Sequence, residues 1–272
     1  MPNSLAAITG ASAGIGTVFA RRLAAQGYDL LLIARRGDRL AQLAAELERA
    51  HAVHVEVCVA DLSVEADMDR VAARLAAEPR LDLLVNDAGF GVKGPFWEAP
   101  IERQLEMHRL HIGAILRLTH AALPPMVARG HGAIVNVASV AGFVRSPGSV
   151  SYCATKSWVN AFTEGIYLDL KAARSPVVVQ ALCPGFTYSE FHDVANFDRD
   201  TIPKSFWMTA EDVVDASLAA LRRRKLYVVP GWRYKLVVAL VSRIPVALRL
   251  KLEAGAPHKR ASSRERVSRD QK

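Results

Sequence analysis

Short apolar runs of strand length alternate along the chain with segments whose apolar residues recur at helical spacing. The runs predicted as strands are Leu5–Thr9, Asp29–Ala34, Val53–Val59, Leu81–Val85, Ala133–Ala138, Pro176–Leu182 and Leu226–Val229. The segments predicted as helices are Ile15–Gln26, Arg39–Ala50, Val64–Ala77, Ile101–Ala128, Ser151–Ala173 and Ala210–Arg223. Strands that are apolar on both faces are typical of a parallel sheet covered by helices on both sides. The pattern therefore predicts an α/β fold built on a single doubly wound parallel sheet.

The alternation runs without a linker to Pro230, so we predict one domain over residues 1–230 and an extension over residues 231–272. The extension mixes apolar and basic residues from Trp232 to Leu252, Pro245 interrupts any single helix there, and its polar, basic end is predicted to be frayed. One interpretation is a cover for the sheet edge or a subunit contact. The other is a peripheral contact with a membrane surface.

Composition narrows the class of protein. A 51% share of hydrophobic residues with 23% charged residues indicates a folded chain, and the net charge of +8 favours an anionic partner. No nucleic-acid partner is expected, because no basic platform with interleaved aromatic residues accompanies the charge. The three cysteines and eight histidines show no ligand spacing, so neither a disulfide framework nor a metal site is predicted. Without an evident signal peptide or long apolar run, the expected location is cytoplasmic, with membrane association through the extension as the alternative.

A glycine-rich turn follows the first predicted strand and opens the first helix. Its sequence is Gly10-Ala11-Ser12-Ala13-Gly14-Ile15-Gly16. Glycines permit a tight turn and close approach of the backbone to a pyrophosphate, and the helix N-terminus attracts its charge. A purely structural turn is the competing interpretation, which the position after the first strand makes weaker.

The second predicted strand ends in Arg35 and Arg36, where a fold that prefers NAD usually carries an acidic residue. Two guanidinium groups suit a 2′-phosphate, which favours NADP, used in the cell as NADPH. Asp38 lies close by, and a solvated arginine pair is the alternative. After the third strand, Asp61 can bind the adenine amine or simply cap a helix.

The decisive constellation combines Ser139, at the end of the fifth strand, with Tyr152 and Lys156 on the following helix. Residues at i and i+4 share a helix face, so a lysine ammonium lies near the tyrosine. That ammonium and a cationic nicotinamide would lower the tyrosine pKa from about 10. Tyr152 can then exchange a proton with a substrate oxygen that Ser139 also binds.

Together these motifs resemble the short-chain dehydrogenase/reductase family over approximately residues 4–230. The matching elements are the glycine turn, Asp61, Asn86-Asp87-Ala88-Gly89, Ser139, Tyr152-Cys153-Ala154-Thr155-Lys156 and Pro184-Gly185. The resemblance implies a Rossmann fold with Tyr152 as general acid/base, Ser139 orienting the substrate oxygen, and Lys156 holding the nicotinamide ribose. The cofactor-binding residues that it implies are Gly10, Ser12, Gly14, Ile15, Gly16, Asp61, Leu62, Asn86, Ala88, Gly89, Pro184, Gly185 and Thr187.

Three positions depart from the family pattern. Asp87 replaces the usual second asparagine and can add charge near the cofactor, while Ala13 stands where many NADP-using members carry a basic residue. His111 is aligned with the asparagine of the family's proton relay. This histidine can position a water and titrate, or it can be a neutral packing residue.

The segment from Phe186 to Met208 follows the Pro-Gly pair that precedes the family's substrate-determining region. Its aromatic residues are Phe186, Tyr188, Phe191, His192, Phe197, Phe206 and Trp207. They indicate an apolar lid over a lipophilic ketone, aldehyde or alcohol, with packing of a long loop as the alternative.

We therefore expect an NADP(H)-dependent oxidoreductase that interconverts a carbonyl and an alcohol, with reduction as the favoured direction. The alternative from another class is a non-catalytic NADP-binding sensor or scaffold. The family resemblance also implies a homodimer or homotetramer.

Overall fold

The computed structural model describes residues 3–190 and 202–254 of the chain. Within these residues one sheet contains the strands β1 Leu5–Thr9, β2 Asp29–Ala34, β3 Val55–Val59, β4 Leu81–Asn86, β5 Ala133–Val137, β6 Val178–Leu182 and β7 Tyr227–Val228. The α-helices in the same residues are α1 Gly14–Ala24, α2 Gly37–Ala50, α3 Glu65–Ala76, α4 Ile101–His108, α5 Ile115–Arg129, α6 Val150–Ala172, α7 Ala210–Arg222, α8 Trp232–Val241 and α9 Val246–Ala254.

The strands pair in the order β3-β2-β1-β4-β5-β6-β7, and every pairing is parallel. The strand order therefore reverses between β1 and β4, which is where α/β sheets bind ligands. Thr9, the last residue of β1, lies in register with Ile33 of β2 and Asn86 of β4. This register places the glycine turn between the carboxyl ends of its two neighbouring strands, and the predicted doubly wound sheet is confirmed.

Two apolar layers enclose the sheet because successive side chains of each strand point to opposite faces. In β1, Ala6 and Ile8 pack with α1, α2 and α7, while Leu5 and Ala7 pack with α3, α5 and the end of α6. Every β1 side chain is buried. Burial on both faces explains why the strand reads as a continuous apolar run.

One predicted helix, Ile101–Ala128, is interrupted. A π-helical turn at Arg109–Ala114 separates α4 from α5. Such a turn adds a residue to the local repeat and rotates the side chains that follow it, and apolar periodicity does not reveal it. The turn brings His111 into the interior, where its side chain is fully buried.

The C-terminal extension forms α8 and α9, and Pro245 lies between them as predicted. The predicted frayed end lies outside the described residues from position 255 onward, as do Phe191, His192 and Phe197 of the predicted lid. Among the helices of residues 3–190 and 202–254, none combines the length and apolar character needed to cross a bilayer.

Candidate active site

A cavity of about 540 Å³ opens at the carboxyl ends of the strands. Predicted site residues on its wall are Gly10, Ser12, Gly14, Ile15, Arg35, Arg36, Asp61, Leu62, Ala88, Gly89, Ser139, Tyr152, Lys156, Pro184, Gly185 and Thr187. The parallel topology brings these residues together because each lies at or after the end of a strand, or on the helix that begins there.

The glycine turn leaves no room for side chains at two positions. Gly10 has φ +71°, and a Cβ atom there would lie 3.0 Å from the backbone nitrogen of Ala88. A Cβ atom on Gly16 would lie 2.5 Å from the carbonyl oxygen of Gly10. Gly16 therefore packs the helix against the turn instead of lining the cavity.

The N-terminus of α1 faces the cavity at Gly14. Ala13 at the N-cap supplies no side-chain acceptor, and the first turn contains no acidic residue. The first backbone N–H groups of a helix need an acceptor and attract negative charge. This end of the cavity thus fits the diphosphate of a dinucleotide.

Asp87 adds a carboxylic group directly beneath this turn. Its carboxyl group accepts a hydrogen bond from the Gly16 backbone N–H, and its backbone N–H donates to Thr9 Oγ1 over 3.0 Å. Burial raises the pKa of Asp87 to about 8, although the charge of Lys156 opposes the shift. Burial therefore favours the protonated form of Asp87, in which the carboxyl presents no negative charge to a diphosphate.

Ser139, Tyr152 and Lys156 lie together on the cavity wall. The Ser139 hydroxyl accepts a 3.1 Å hydrogen bond from the Ala141 backbone N–H and also hydrogen-bonds Tyr152. The Lys156 Nζ atom lies 5.8 Å from the centre of the Tyr152 ring and donates to the Val137 carbonyl over 2.7 Å. The lysine is only 5% exposed, so the backbone holds its ammonium in place beside the phenol.

The pKa of Tyr152 shifts in the direction opposite to the one expected from Lys156. Burial raises it to about 12, and the hydrogen bond with Ser139 offsets only part of that rise. Burial also lowers the pKa of Lys156 to about 8, which weakens the ammonium as a source of phenolate stabilisation. In the protein alone, Tyr152 therefore keeps its proton at neutral pH.

His111 lies behind the wall and is held on both ring nitrogens. Its Nε2 atom accepts from the Phe90 backbone N–H over 3.2 Å, and its Nδ1 atom lies 3.0 Å from Thr155 Oγ1. Because the Thr155 hydroxyl donates to the Tyr152 carbonyl, it accepts from Nδ1–H, which identifies the neutral tautomer. Burial and the charge of Lys156 lower the His111 pKa well below its usual value. This geometry favours the neutral packing interpretation over a titrating relay.

The arginines that follow β2 lie at the opposite end of the cavity. Arg36 donates from Nε to Ser12 Oγ over 3.1 Å and from Nη2 to the Ser12 carbonyl over 3.2 Å. The Arg35 Nη1 atom lies 3.7 Å from Asp61 Oδ2 and 3.6 Å from Glu106 Oε1. Both guanidinium groups thus belong to the cavity wall and already interact with protein groups.

Two predicted cofactor residues have additional structural roles. Asn86 is buried, and its Nδ2 atom donates to Asn136 Oδ1 over 2.8 Å, which ties β4 to β5. The same atom donates to Thr119 Oγ1 of α5 over 3.3 Å, so the side chain lies between the sheet and α5 and is not part of the cavity wall. Asp61 lines the cavity and also accepts from the Ser63 backbone N–H over 2.9 Å in the turn before α3. The N-cap of α3 is Val64, so Asp61 does not cap that helix.

Tyr234 of α8 is a wall residue that the sequence did not reveal. A Cβ atom on Gly185 would lie 2.1 Å from the Tyr234 ring. The Tyr234 hydroxyl accepts from the Phe186 backbone N–H over 3.0 Å and donates to the Phe206 carbonyl over 2.7 Å. The extension therefore closes part of the cavity, although the predicted domain boundary after Pro230 stays a prediction.

Described aromatic residues of the segment after Gly185 pack with one another. The Trp207 ring lies 5.5 Å from the Phe186 ring and stacks on the Tyr188 ring at 4.8 Å, between centroids. Only Phe186 of these three lines the cavity, so loop packing accounts for the other two. Glu190 and Lys93 also reach the wall, and no local sequence pattern marks either of them.

Comparison with known proteins assigns the chain to a family. The model of the short chain dehydrogenase family matches residues 4–200. The very-long-chain 3-oxoacyl-CoA reductase of Anas platyrhynchos is 30% identical over 203 residues, which cover 72% of this chain and 64% of the relative.

Two solved structures match nearly the whole chain. A short-chain dehydrogenase from Sphingobium yanoikuyae in complex with NADPH has a TM-score of 0.82 and 35% identity, covering 97% of this chain and 100% of that one. The bulky-bulky ketone specific alcohol dehydrogenase from Comamonas testosteroni has a TM-score of 0.77 and 31% identity, covering 91% and 97%.

The chain therefore belongs to the short-chain dehydrogenase/reductase family. It is an oxidoreductase of the class that acts on CH–OH or C=O groups with NAD(P). Solved neighbours include complexes with NADPH and with NAD. The family assignment supports the enzyme expected from the sequence, and no observation favours the non-catalytic alternative.

Proposed function

We propose that this enzyme uses NADPH to reduce a lipophilic ketone or aldehyde, with Tyr152 as general acid. The observation that carries the proposal is one continuous cavity with Ser139, Tyr152 and Lys156 at one end and Arg35 and Arg36 at the other. The first group suits proton transfer to a carbonyl oxygen, and the second suits a 2′-phosphate.

The cofactor would bind along the strand ends, with its diphosphate at Gly14 and Ile15 and its adenine between Asp61 and Leu62. The ribose that carries the 2′-phosphate would lie against the two arginines. When bound, the nicotinamide supplies the hydride. Ala88, Gly89, Pro184, Gly185 and Thr187 line the remaining wall and would hold the nicotinamide half.

Proton transfer follows from the state of Tyr152. Its raised pKa keeps the proton on Oη at neutral pH, so the phenol can donate it to the substrate oxygen as negative charge develops there. The Ser139 hydroxyl would bind the same oxygen and stabilise that charge. Lys156 has three N–H donors, of which one bonds the Val137 carbonyl, so further donors can hold the nicotinamide ribose.

The apolar character of the substrate end supports a lipophilic carbonyl. Phe90, Val92, Val144 and Phe186 lie on this part of the wall. Apolar walls with few polar groups select ligands by buried apolar area. The bulky-ketone and oxoacyl-CoA substrates in the names of two relatives fit this proposal.

Steady-state assays test the proposed activity. Purified protein is supplied with NADPH or NADH and with two carbonyl panels matched in reactivity, one aliphatic or aromatic and one small and highly polar. We expect turnover with the apolar panel and a higher kcat/KM with NADPH. Turnover confined to the polar panel would contradict the substrate proposal.

We infer that the enzyme assembles as a homodimer or homotetramer through α4, α5 and α6. Apolar side chains on these helices are exposed, among them Ile101, Leu105, Leu116 and Leu168, each between 43% and 59%. Removing such surface from water favours association. Light scattering coupled to size exclusion tests the inference, and a concentration-independent monomer would contradict it.

Contact between the extension and a lipid surface stays a prediction, as does a cytoplasmic location. Trp232, Leu236 and Leu240 are 53% to 68% exposed and lie four residues apart on one side of α8. Arg233 and Lys235 flank them. Pelleting with anionic vesicles tests the prediction, and equal pelleting of wild type and a variant with all three apolar residues changed to serine would contradict it.

A further inference from the structure

Glu190 holds two arginines at the end of the cavity where the proposed 2′-phosphate would bind. Its Oε2 atom lies 2.7 Å from Arg36 Nη1, and its Oε1 atom lies 2.6 Å from Arg39 Nη1. Both carboxylate oxygens therefore accept a charge-assisted hydrogen bond. The three side chains are between 40% and 47% exposed, so solvent and ligands can reach them.

The ion-paired arginine also contacts the glycine turn. Arg36 donates to the Ser12 side chain and backbone on one side and to Glu190 on the other. Ser12, Arg36 and Glu190 all line the cavity. The neighbouring Ser189 approaches the same turn, since its Cβ atom lies 3.0 Å from where a Gly14 Cβ would stand. The carboxylate is thus fixed beside the turn.

Carboxylate and phosphate compete for the same type of partner. Both present oxygen pairs that match the planar guanidinium fork. The hydrogen bonds from Arg36 and Arg39 keep the pKa of Glu190 below its usual value, so this carboxylate is charged at neutral pH. A phosphate that binds Arg36 must displace Glu190 or remain close to a second negative charge, and both cost free energy.

We propose that Glu190 is a cofactor-specificity residue that competes with the 2′-phosphate for Arg36 and Arg39 and thereby reduces discrimination against NADH. This inference rests on the proposed function, in which the arginine end of the cavity receives the 2′-phosphate. NADH has a hydroxyl group at that position and can bind while both ion pairs persist. Only NADPH has to break these ion pairs or bind beside the Glu190 charge.

A purely structural role for Glu190 makes a different prediction. If the ion pairs only anchor residues 187–190 over the glycine turn, neutralising Glu190 weakens the binding of both cofactors, because both bind at that turn. If Glu190 competes with phosphate, the same change strengthens the binding of NADPH alone. The ratio of the two dissociation constants therefore separates the roles.

The experiment compares wild type, Glu190→Gln and the control Glu46→Gln by fluorescence titration with NADPH and NADH at low salt. Glu46 forms an exposed ion pair with Arg21 on α1, and its 47% exposure equals that of Glu190. We expect Glu190→Gln to tighten NADPH binding about threefold to tenfold and to leave NADH binding within about twofold. Glu46→Gln should change neither constant.

Arg36→Met completes the design and separates failure of this inference from failure of the proposed function. In one outcome, wild type prefers NADPH, Arg36→Met loses that preference, and Glu190→Gln behaves as wild type. The NADP proposal then stands, and the competing role of Glu190 is wrong. If wild type binds both cofactors alike but Glu190→Gln prefers NADPH, the competing role stands and the proposed wild-type preference is wrong. Weaker NADPH binding in Glu190→Gln would also overturn the inference.

Discussion

At the Tyr152 end of the cavity the ionisable groups are held by backbone and burial, whereas at the Arg36 end they are held by one another. Lys156 is 5% exposed and bonds a strand carbonyl, and burial sets the direction of its pKa shift. Arg36 is 40% exposed and pairs with a carboxylate from a distant segment.

This difference suggests that the Tyr152 end determines the rate of proton transfer, whereas the Arg36 end determines the choice between NADPH and NADH. Buried dipoles and charges are costly to rearrange, so the Tyr152 end is preorganised for one proton transfer. Exposed ion pairs contribute little and exchange readily, so the Arg36 end can change partner when an anionic ligand arrives. Substitutions should therefore affect turnover at the first end and cofactor discrimination at the second.

The largest expected effect is at the buried end. Tyr152→Phe removes the proton donor and should lower kcat by roughly 10²- to 10⁴-fold. NADPH affinity should stay within about twofold, because the ring is retained. Tyr167→Phe, on the same helix outside the cavity wall, is the control and should keep wild-type turnover. Unchanged kcat in Tyr152→Phe would remove the general-acid assignment.

The second largest effect is expected on stability, at the contact between Gly185 of the cavity wall and Tyr234 of the extension. Gly185→Ala would place a methyl group inside the Tyr234 ring and should destabilise the fold by about 1–3 kcal/mol in denaturant unfolding. Gly165→Ala in α6 is the control, because a Cβ atom there has nothing within 4 Å. Adding Tyr234→Ala should reduce the cost of Gly185→Ala relative to its cost in wild type. Strict additivity of the two changes would argue against the contact.

At the exposed end, Arg36→Met should weaken NADPH binding about tenfold relative to NADH, equivalent to about 1.4 kcal/mol. Arg22→Met, which breaks an exposed ion pair with Asp215 away from the cavity wall, serves as the control. Equal losses for both cofactors would mean that Arg36 supports the turn through Ser12 and does not bind the 2′-phosphate.

His111 gives a pH-dependent effect on stability. Its pKa is lowered in the folded state, so below about pH 6.5 the unfolded chain binds a proton that the folded chain does not. Stability should consequently fall as the pH decreases from 6.5, with this group contributing at most about 1.4 kcal/mol per pH unit. His111→Asn should flatten that slope in unfolding titrations between pH 5 and pH 7, while exposed His120→Asn should not. Parallel curves for wild type and His111→Asn would indicate that His111 titrates alike in both states.

Strand periodicity predicted the fold well because β1, β2, β4, β5 and β6 are buried on both faces, which leaves largely apolar runs. All seven strands occur, with their starts shifted by no more than two residues and the last one reduced to Tyr227–Val228. Helix periodicity did not predict the π turn, because one extra residue changes the spacing of apolar residues too little to be recognised in the sequence.

Side-chain direction was harder to predict than position. Asn86 stands at a strand end, as predicted, but its side chain lies between the sheet and α5, where it bonds Asn136 and Thr119. Burial raises the Tyr152 pKa, whereas the i, i+4 spacing to Lys156 predicted a lower one, because sequence spacing carries no measure of desolvation.

The sequence by itself determined the parallel sheet, the glycine turn, and the Ser139, Tyr152 and Lys156 set, because strand period, turn chemistry and i, i+4 spacing are local properties. Only the tertiary structure decided that Tyr234 closes the cavity and that Glu190 pairs with Arg36, 154 residues away. Such contacts depend on how segments that are far apart in the chain pack together at the carboxyl ends of the strands. No local sequence pattern determines which of these segments meet.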